Sequence, residues 1–569
     1  MKKDKLYEVR QISTIKEMLI QSADIYAERN AYLRKLKRGD SYTGVTYAQF
    51  KADVWALGTG FAKIGLSGGK RIAVIGENRY EWVLSYLASV NGDTMFVPID
   101  RELASADIIN LLKVAKVSAV VYSPKIASKL ECAKSELEGL EFMISMDATD
   151  DAADYTVASL MAMGKEAIDA GDTTFEDVVI DPNEAKIILF TSGTTALSKG
   201  VLLCHRNICA NLMSMCSMVD ITPDDTFLSI LPPHHTYEST CGILAPMFRG
   251  SCVAFSDGLK YIPNNLAEAK VSVLLGVPAV FELLYKRIWA AARQKGIESK
   301  LKTGIKLSNA LRKLGIDKRR TIFKSVHDTF GGNLRLFVSG AAAIDPAVAK
   351  GFRDLGILFL QGYGITECSP IVTLNRDINY KDNAAGLPLS CLEVKIDNPN
   401  AEGIGEIICK GDNVMLGYYE NDEETAKVLK DGWFYTGDLG YIDEDGFVII
   451  SGRKKNIIID KNGKNVYPEE LETFINKNDY VLESMVYAHE DGDVFEIRAQ
   501  VFPNMAEIEQ KLGKDVTSEQ VQELMQSVID EVNKRNPTWK YIRKVIVRTE
   551  EFEKTTTKKI KRYAKSNQE

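Results

Sequence analysis

RIAVIGENRYEWVLSYLASVNGDTMFVPID, residues 71–100, sets the fold class. Arg71 to Gly76 is a short apolar run suited to a buried strand, and an amphipathic stretch around Trp82 to Val90 reads as a helix. Thr94 to Ile99 then reads as a second strand. Strand, helix, strand over so short a span is the crossover unit of a parallel sheet.

The pattern repeats outward. Ala119-Val120-Val121-Tyr122 follows the polar Ser118 as another buried strand, and further apolar runs occur at Ile187 to Phe190, Val271 to Leu275 and Leu334 to Val338. Alternation of such runs with helical stretches predicts doubly wound α/β sheets. After about residue 385 the style turns to short strands and turns at Leu392 to Ile396, Gly405 to Cys409 and Gly446 to Ile450, a small β-rich, barrel-like subdomain. From Ser451 charge density rises and compact βα units begin, with Pro468 well placed for a first helical turn. The expectation is a large domain over residues 1–451 and a small α+β domain over 452–569.

A chain of 569 residues exceeds one hydrophobic core, which fits that division. With 45% hydrophobic and 26% charged residues the composition is that of a globular protein, and the net charge of -7 argues against nucleic acid as the main partner. No apolar run approaches the roughly 20 residues that span a bilayer. Met1-Lys2-Lys3-Asp4-Lys5 leads into no signal-peptide core, so a cytoplasmic location is expected. Nine cysteines include no CxxC pair, and the spacing of Cys204, Cys209 and Cys216 fits no zinc pattern; reduced, buried thiols are the plain expectation. Residues 282–329 are rich in Lys and Arg, with Ile305, Leu307, Leu311 and Leu314 at helical intervals. A solvated helical excursion packed on the body is the first reading there, and a membrane-surface or acyl-chain gate the second.

Phe190-Thr191-Ser192-Gly193-Thr194-Thr195-Ala196-Leu197-Ser198-Lys199-Gly200 reads as a phosphate cradle at the end of a buried strand. Its N–H and hydroxyl donors, with one mobile ammonium, suit an anion. It is not the common GxxxxGK[ST] loop, because no Ser or Thr follows the lysine to hold magnesium. Five other segments bear on it. Ser339 to Ala343 has side chains small enough for a flat base to lie against backbone. Gln361 to Glu367 combines an aromatic face, a hydroxyl and a carboxylate, and Trp433 to Gly440 carries Asp438 in a tight turn suited to a ribose diol. Gly452 to Asn456 and the tail Lys554 to Arg562 add mobile cations. Taken singly, Glu367 also reads as a solvated loop acid, Tyr363 as a core aromatic, and Arg453-Lys454-Lys455 as a surface charge run.

In this order, over nearly the whole chain, these motifs resemble the adenylate-forming acyl-CoA synthetases. They are most similar to the long-chain fatty-acid ligases of the AMP-binding superfamily, on Leu231 to Glu238 and Gly276 to Phe281 in particular. The resemblance implies two half-reactions: a carboxylate attacks the α-phosphate of ATP to give acyl-AMP and pyrophosphate, then the thiol of coenzyme A displaces AMP. A medium- to long-chain fatty acid is the implied substrate. Transfer to a separate acyl-carrier protein and activation of an aryl acid are the neighbouring alternatives. A non-catalytic nucleotide- or acyl-binding protein is the alternative from another class.

The same resemblance assigns roles. Thr191, Ser192, Gly193, Thr194, Thr195 and Lys199 wrap the β- and γ-phosphates; Gly340, Ala341 and Tyr363 sandwich adenine, with Gly364 also in the ATP site; Thr366 touches the α-phosphate; Glu367 holds Mg2+. Asp438 accepts the ribose hydroxyls with Arg453 beside it, Lys559 is the adenylation lysine, Lys455 the hinge of a swinging C-terminal domain, and Gly463 borders the CoA tunnel. His235 lies by the acyl carboxylate as base or gate, with neighbouring His234 its competitor and a structural imidazole the other reading. Ala196 and Ser198 depart from the family's Gly and Pro, and Lys558 from its Gly, so that Lys559 is chosen over Lys558 by the register of Ile560 and Arg562. Peripheral membrane contact is left open.

Overall fold

Strands buried on both faces must be apolar throughout, and the runs that satisfy this lie at the centres of two sheets. The structure, a computed structural model, describes residues 5–37, 39–191, 198–459, 464–491, 494–554, 560–562 and 564–567. By packing, the chain divides into two units: residues 1–394 with 409–434, and residues 395–408 with 435–569. The expected boundary at 451/452 falls inside the second unit, within the strand Val448–Arg453.

The first unit holds two large sheets. In one, Tyr155–Thr156, Phe142–Ser145, Ala119–Tyr122, Lys70–Ile75, Thr94–Pro98 and Ala185–Thr191 lie side by side and parallel. Lys199–Cys204 and then Gly417–Tyr418 add antiparallel edge strands. The quoted stretch is therefore a crossover unit, its helix observed at Tyr80–Val90 and buried almost throughout. In the other sheet Asn30–Arg34, Cys252–Phe255, Thr226–Ser229, Val273–Gly276, Leu336–Ser339 and Leu358–Gly364 are parallel neighbours. Thr43–Thr46 flanks one edge antiparallel, and Ile371–Leu374 with Leu387–Pro388 the other.

Beneath the second sheet Phe281, Phe337, Phe352 and Phe359 form one aromatic cluster, Phe337 centred 4.9 Å from both Phe281 and Phe352. Each buried ring contributes about 2–3 kcal/mol by leaving water, and together they fix the strand whose end carries Ser339 and Gly340.

In the second unit residues 438–442, the last half of the strand Trp433–Ile442, pair antiparallel with Val448–Arg453. Beyond them Val481–Asp491, Val494–Pro503 and Ile542–Val547 make a three-stranded sheet, covered by the helices Pro468–Ile475 and Ser518–Lys534 through Leu471, Ile475, Met525 and Ile529. Thr517 caps the second helix in a reciprocal box with Gln520. Both units are mixed α/β, as expected. Among the described residues no helix is long and apolar enough to cross a membrane.

Candidate active site

Parallel strands that adjoin in register end together, and ligands of open α/β sheets collect at those carboxyl ends. Gly276 pairs with Ser339, and Ser339 with Gln361. The residues that follow, Gly340-Ala341 and Gly362-Tyr363, are thereby set side by side on one edge. Tyr237 closes the edge from one side: its hydroxyl donates to the carbonyl of Val338 at 2.9 Å, and a Cβ on Gly340 would meet its ring at 2.9 Å. Ala341 has φ +70°, a left-handed conformation that costs an L residue about 1–2 kcal/mol. Gly364 lets the strand end pass against the carbonyl of Pro370, which a Cβ would meet at 2.4 Å. Tyr363 is buried at this edge, so the core-aromatic and base-stacking readings of it coincide in one place.

The other sheet delivers the cation. Thr191 and Lys199 face each other across the two strands that bracket the cradle. Lys199 forms an ion pair with Glu424 and sits 5.0 Å from the centre of the Tyr418 ring. The Tyr418 hydroxyl donates to Glu367 Oε1 at 2.9 Å, and the backbone N–H of Met415 donates to the Glu367 carbonyl at 2.8 Å. Burial first, then the Glu367 carboxylate, raises the Tyr418 phenol far above its ordinary range, so it stays a donor. Glu367 rides on the short turn Thr366–Cys368, whose last carbonyl, that of Cys368, accepts from the side-chain amides of both Asn211 and Asn413. Lys199, Thr366 and Glu367 thus belong to one connected group, and Glu367 is no free loop acid. Ser192 to Thr195 lie outside the described residues.

His235 Nδ1 accepts the N–H of Tyr237 at 3.1 Å, which places its ring proton on Nε2. His234 has a carboxylate beside it, its Nε2 lying 3.5 Å from Asp100 Oδ2; burial lowers the His234 pKa. His205 is structural. Its Nδ1 accepts from Ile15 N–H, its Nε2 faces the Val90 carbonyl, and burial takes it down to about 4. One turn on from the histidines, Glu238 is fully buried in the wide helix Tyr237–Leu244 and bonded to Ser229 Oγ. Burial pushes its pKa up to about 8.

Within the second unit Arg453 Nε meets Asp438 Oδ1 at 2.7 Å across directly paired strands. Asp438 follows Gly437, whose φ of +70° makes the tight turn expected there. Thr436 Oγ1 accepts the Asp438 N–H at 3.0 Å and donates to the Ile407 carbonyl at 2.7 Å. Lys454 pairs with Glu406 at 2.6 Å, and Lys455 is exposed on the short turn Lys454–Asn456. Lys559 and Gly463 lie outside the described residues. The flanks of Lys559 are tied down: Lys554 bridges Ile560, and Arg562 pairs with Glu472 at 2.5 Å.

Sequence reading missed Tyr418, Glu424 and Asp100. Asp100 is separated from His234 by more than a hundred residues and Tyr418 from Glu367 by about fifty, so only the fold brings each pair together. Asp422-Glu423-Glu424 shows the acidic first turn of a helix, capped by Asn421, but not the lysine it meets. Among the described residues no cluster of three or more His, Cys, Asp or Glu could hold a metal. Magnesium on a nucleotide asks less of the protein, often one carboxylate, with phosphates and water completing the shell. Glu367 fits that role: Oε1 accepts from Tyr418, and Oε2 has no partner among the described residues.

The AMP-binding enzyme family matches residues 20–419. Long-chain-fatty-acid–CoA ligase 5 of Rattus norvegicus is 29% identical over 485 residues, 79% of this chain and 70% of that protein. Long chain acyl-CoA synthetase 7, peroxisomal, of Arabidopsis thaliana is 26% identical over 521 residues, 85% of this chain and 72% of that one. The crystal structure of the anthranilate CoA ligase AuaEII in complex with anthranoyl-AMP superimposes with a TM-score of 0.77 at 19% identity, covering 99% of this chain and 98% of that one. That likeness establishes the fold.

Proposed function

The chain belongs to the AMP-binding enzyme family, and on that premise we propose that it activates a medium- to long-chain fatty acid with ATP and passes the acyl group to coenzyme A. The observation that carries this reading is the link from Lys199 through Tyr418 to Glu367, which gathers an ammonium and a carboxylate of the kind that suits magnesium where two sheets end. The relatives named as fatty-acid ligases support the substrate class.

In this reading Lys199, Thr191 and Ser192 to Thr195 take the β- and γ-phosphates, and Gly340, Ala341 and Tyr363 take adenine, with Gly364 beside them in the ATP site. Asp438 and Arg453 bind the ribose, and Thr366 the α-phosphate. Glu367 would hold Mg2+, whose charge offsets that of the polyphosphate. A carboxylate oxygen forms a bond to the α-phosphorus as the bond to the pyrophosphate oxygen breaks. Lys559 contributes mainly where negative charge gathers in that transition state. The small domain, 452–569, then swings about Lys455, Lys559 withdraws, and the thiol enters past Gly463 to displace AMP. His235, its proton on Nε2, stands by the acyl carboxyl as a donor or gate. The cysteines, all free thiols, fit a reducing compartment, and we place the protein in the cytoplasm.

One assay tests the whole reading: a panel of fatty and aromatic acids with ATP, offering coenzyme A or a carrier protein in turn. Acid-dependent release of pyrophosphate and AMP with thioester formed on coenzyme A is expected for fatty acids. No pyrophosphate with any acid would reduce the protein to a binder, and thioester on the carrier alone would change the acceptor.

A further inference from the structure

The chain carries a net charge of -7, yet residues 282–329 hold thirteen lysines and arginines against four acids, a surplus of nine. This region is helical, with Pro278–Gln294 and Glu298–Lys313 as its long elements. Apolar spacing in the second helix suggests a face packed on the body, and Ile305 and Leu311 are indeed partly covered. Leu307 and Leu314, however, are 56% and 75% exposed, and Ile316 just beyond is 44% exposed. Leu307 and Leu314 lie seven positions apart, about 10 Å along one helix face. The lysines Lys300, Lys306 and Lys313 are exposed on and beside that face.

Three of the acids in the segment are already matched: Glu298 with Lys302 at 2.7 Å, Asp317 with Arg319 at 2.5 Å and Asp328 with Lys324 at 2.6 Å. Lys300, Lys306 and Lys313 have no carboxylate partner among the described residues. The surface therefore presents exposed leucines within a positive field.

We propose that this face, centred on Leu307 and Leu314, docks on an anionic lipid bilayer. A bilayer takes isolated leucines into its headgroup and acyl boundary while lysines reach the phosphates around them. The cations favour lipid over an acidic protein. Protein interfaces are depleted in lysine, whereas lysine is a mobile point charge suited to headgroups that offer no fixed geometry. The inference does not rest on the catalytic reading, because docking is measured without ATP or acid.

The test is flotation of the full chain with vesicles of phosphatidylcholine alone and of phosphatidylcholine mixed with phosphatidylserine. Binding to the mixed vesicles only, released by salt, is expected. Each juxtamembrane lysine is worth about a fivefold change in binding. Lys300→Glu with Lys306→Glu and Lys313→Glu should thus weaken binding by at least about a hundredfold, and Leu307→Ser with Leu314→Ser by about tenfold. The affected side chains are exposed, so thermal unfolding of both variants should match the parent and certify their folding. No binding to mixed vesicles, equal binding to phosphatidylcholine alone, or binding that both variants retain would overturn the proposal. So would capture of an acidic carrier protein, lost with the lysines, in the absence of vesicle binding.

Discussion

The Tyr418 hydroxyl holds Glu367 Oε1 at 2.9 Å, and the same ring lies 5.0 Å from the Lys199 ammonium, so one aromatic residue orients both the anion and the cation of the candidate site. Tyr418→Phe keeps the ring beneath Lys199 and removes the donor from Glu367. A hydrogen bond to a charged group is worth about 1.5–3 kcal/mol, so acid-dependent pyrophosphate release should fall by about tenfold and need more magnesium. If magnesium dependence stays unchanged, Tyr418 does not orient the carboxylate.

Lys559 is assigned to adenylation alone. Lys559→Ala should lower acid-dependent pyrophosphate release by about 100- to 1,000-fold, the range for removing one charge-stabilising donor. Conversion of supplied acyl-AMP and coenzyme A to thioester should continue; equal loss in both half-reactions would reject the assignment.

Lys455 is assigned to the hinge, so Lys455→Pro should leave pyrophosphate release within about twofold and stall thioester formation. Single-turnover measurements of the two steps separate these outcomes. Parallel loss of both would mean that the substitution only damages the site.

The buried Glu238 gives a pH signature. Its pKa is about 8 in the folded chain against 4.5 for the free group. Below 4.5 the carboxyl is protonated in both states. Between 4.5 and about 8 the unfolded chain releases the proton while the folded chain keeps it, so stability declines as pH rises through this window, and the loss levels off above about 8. Glu238→Gln cannot ionise and should flatten that part of the stability curve. Denaturant unfolding at pH 5, 6, 7 and 8 reads the difference, and parallel curves for the two proteins would show that the carboxyl does not titrate there.

Local pattern identified the strands at 71–76, 94–99 and 119–122 because a strand buried on both faces leaves no room for a polar residue. The motifs and the resemblance they carry also pointed to the glycines at 340, 364 and 437, where the Tyr237 ring, the Pro370 carbonyl and a positive φ respectively leave few alternatives. What it missed consists of pairings between distant segments: Glu367 with Tyr418, Lys199 with Glu424, His234 with Asp100. Nothing in the neighbourhood of either partner encodes these, since each is set by which strands adjoin. The outward turn of Leu307 and Leu314 was hidden for a related reason: helical spacing gives a face, and only the packing of neighbours says whether that face looks in or out.

The ion pair between Lys199 and Glu424 has a bearing on turnover. A cation that lets go of a departing polyanion normally has to be rehydrated, which opposes release. In the proposed reading, where Lys199 holds the leaving pyrophosphate, Glu424 of the protein's own helix would take the vacated position, so that the product exchanges one negative partner of the lysine for another. Emptying the site would then be a swap between anions that eases escape of a tightly charged product.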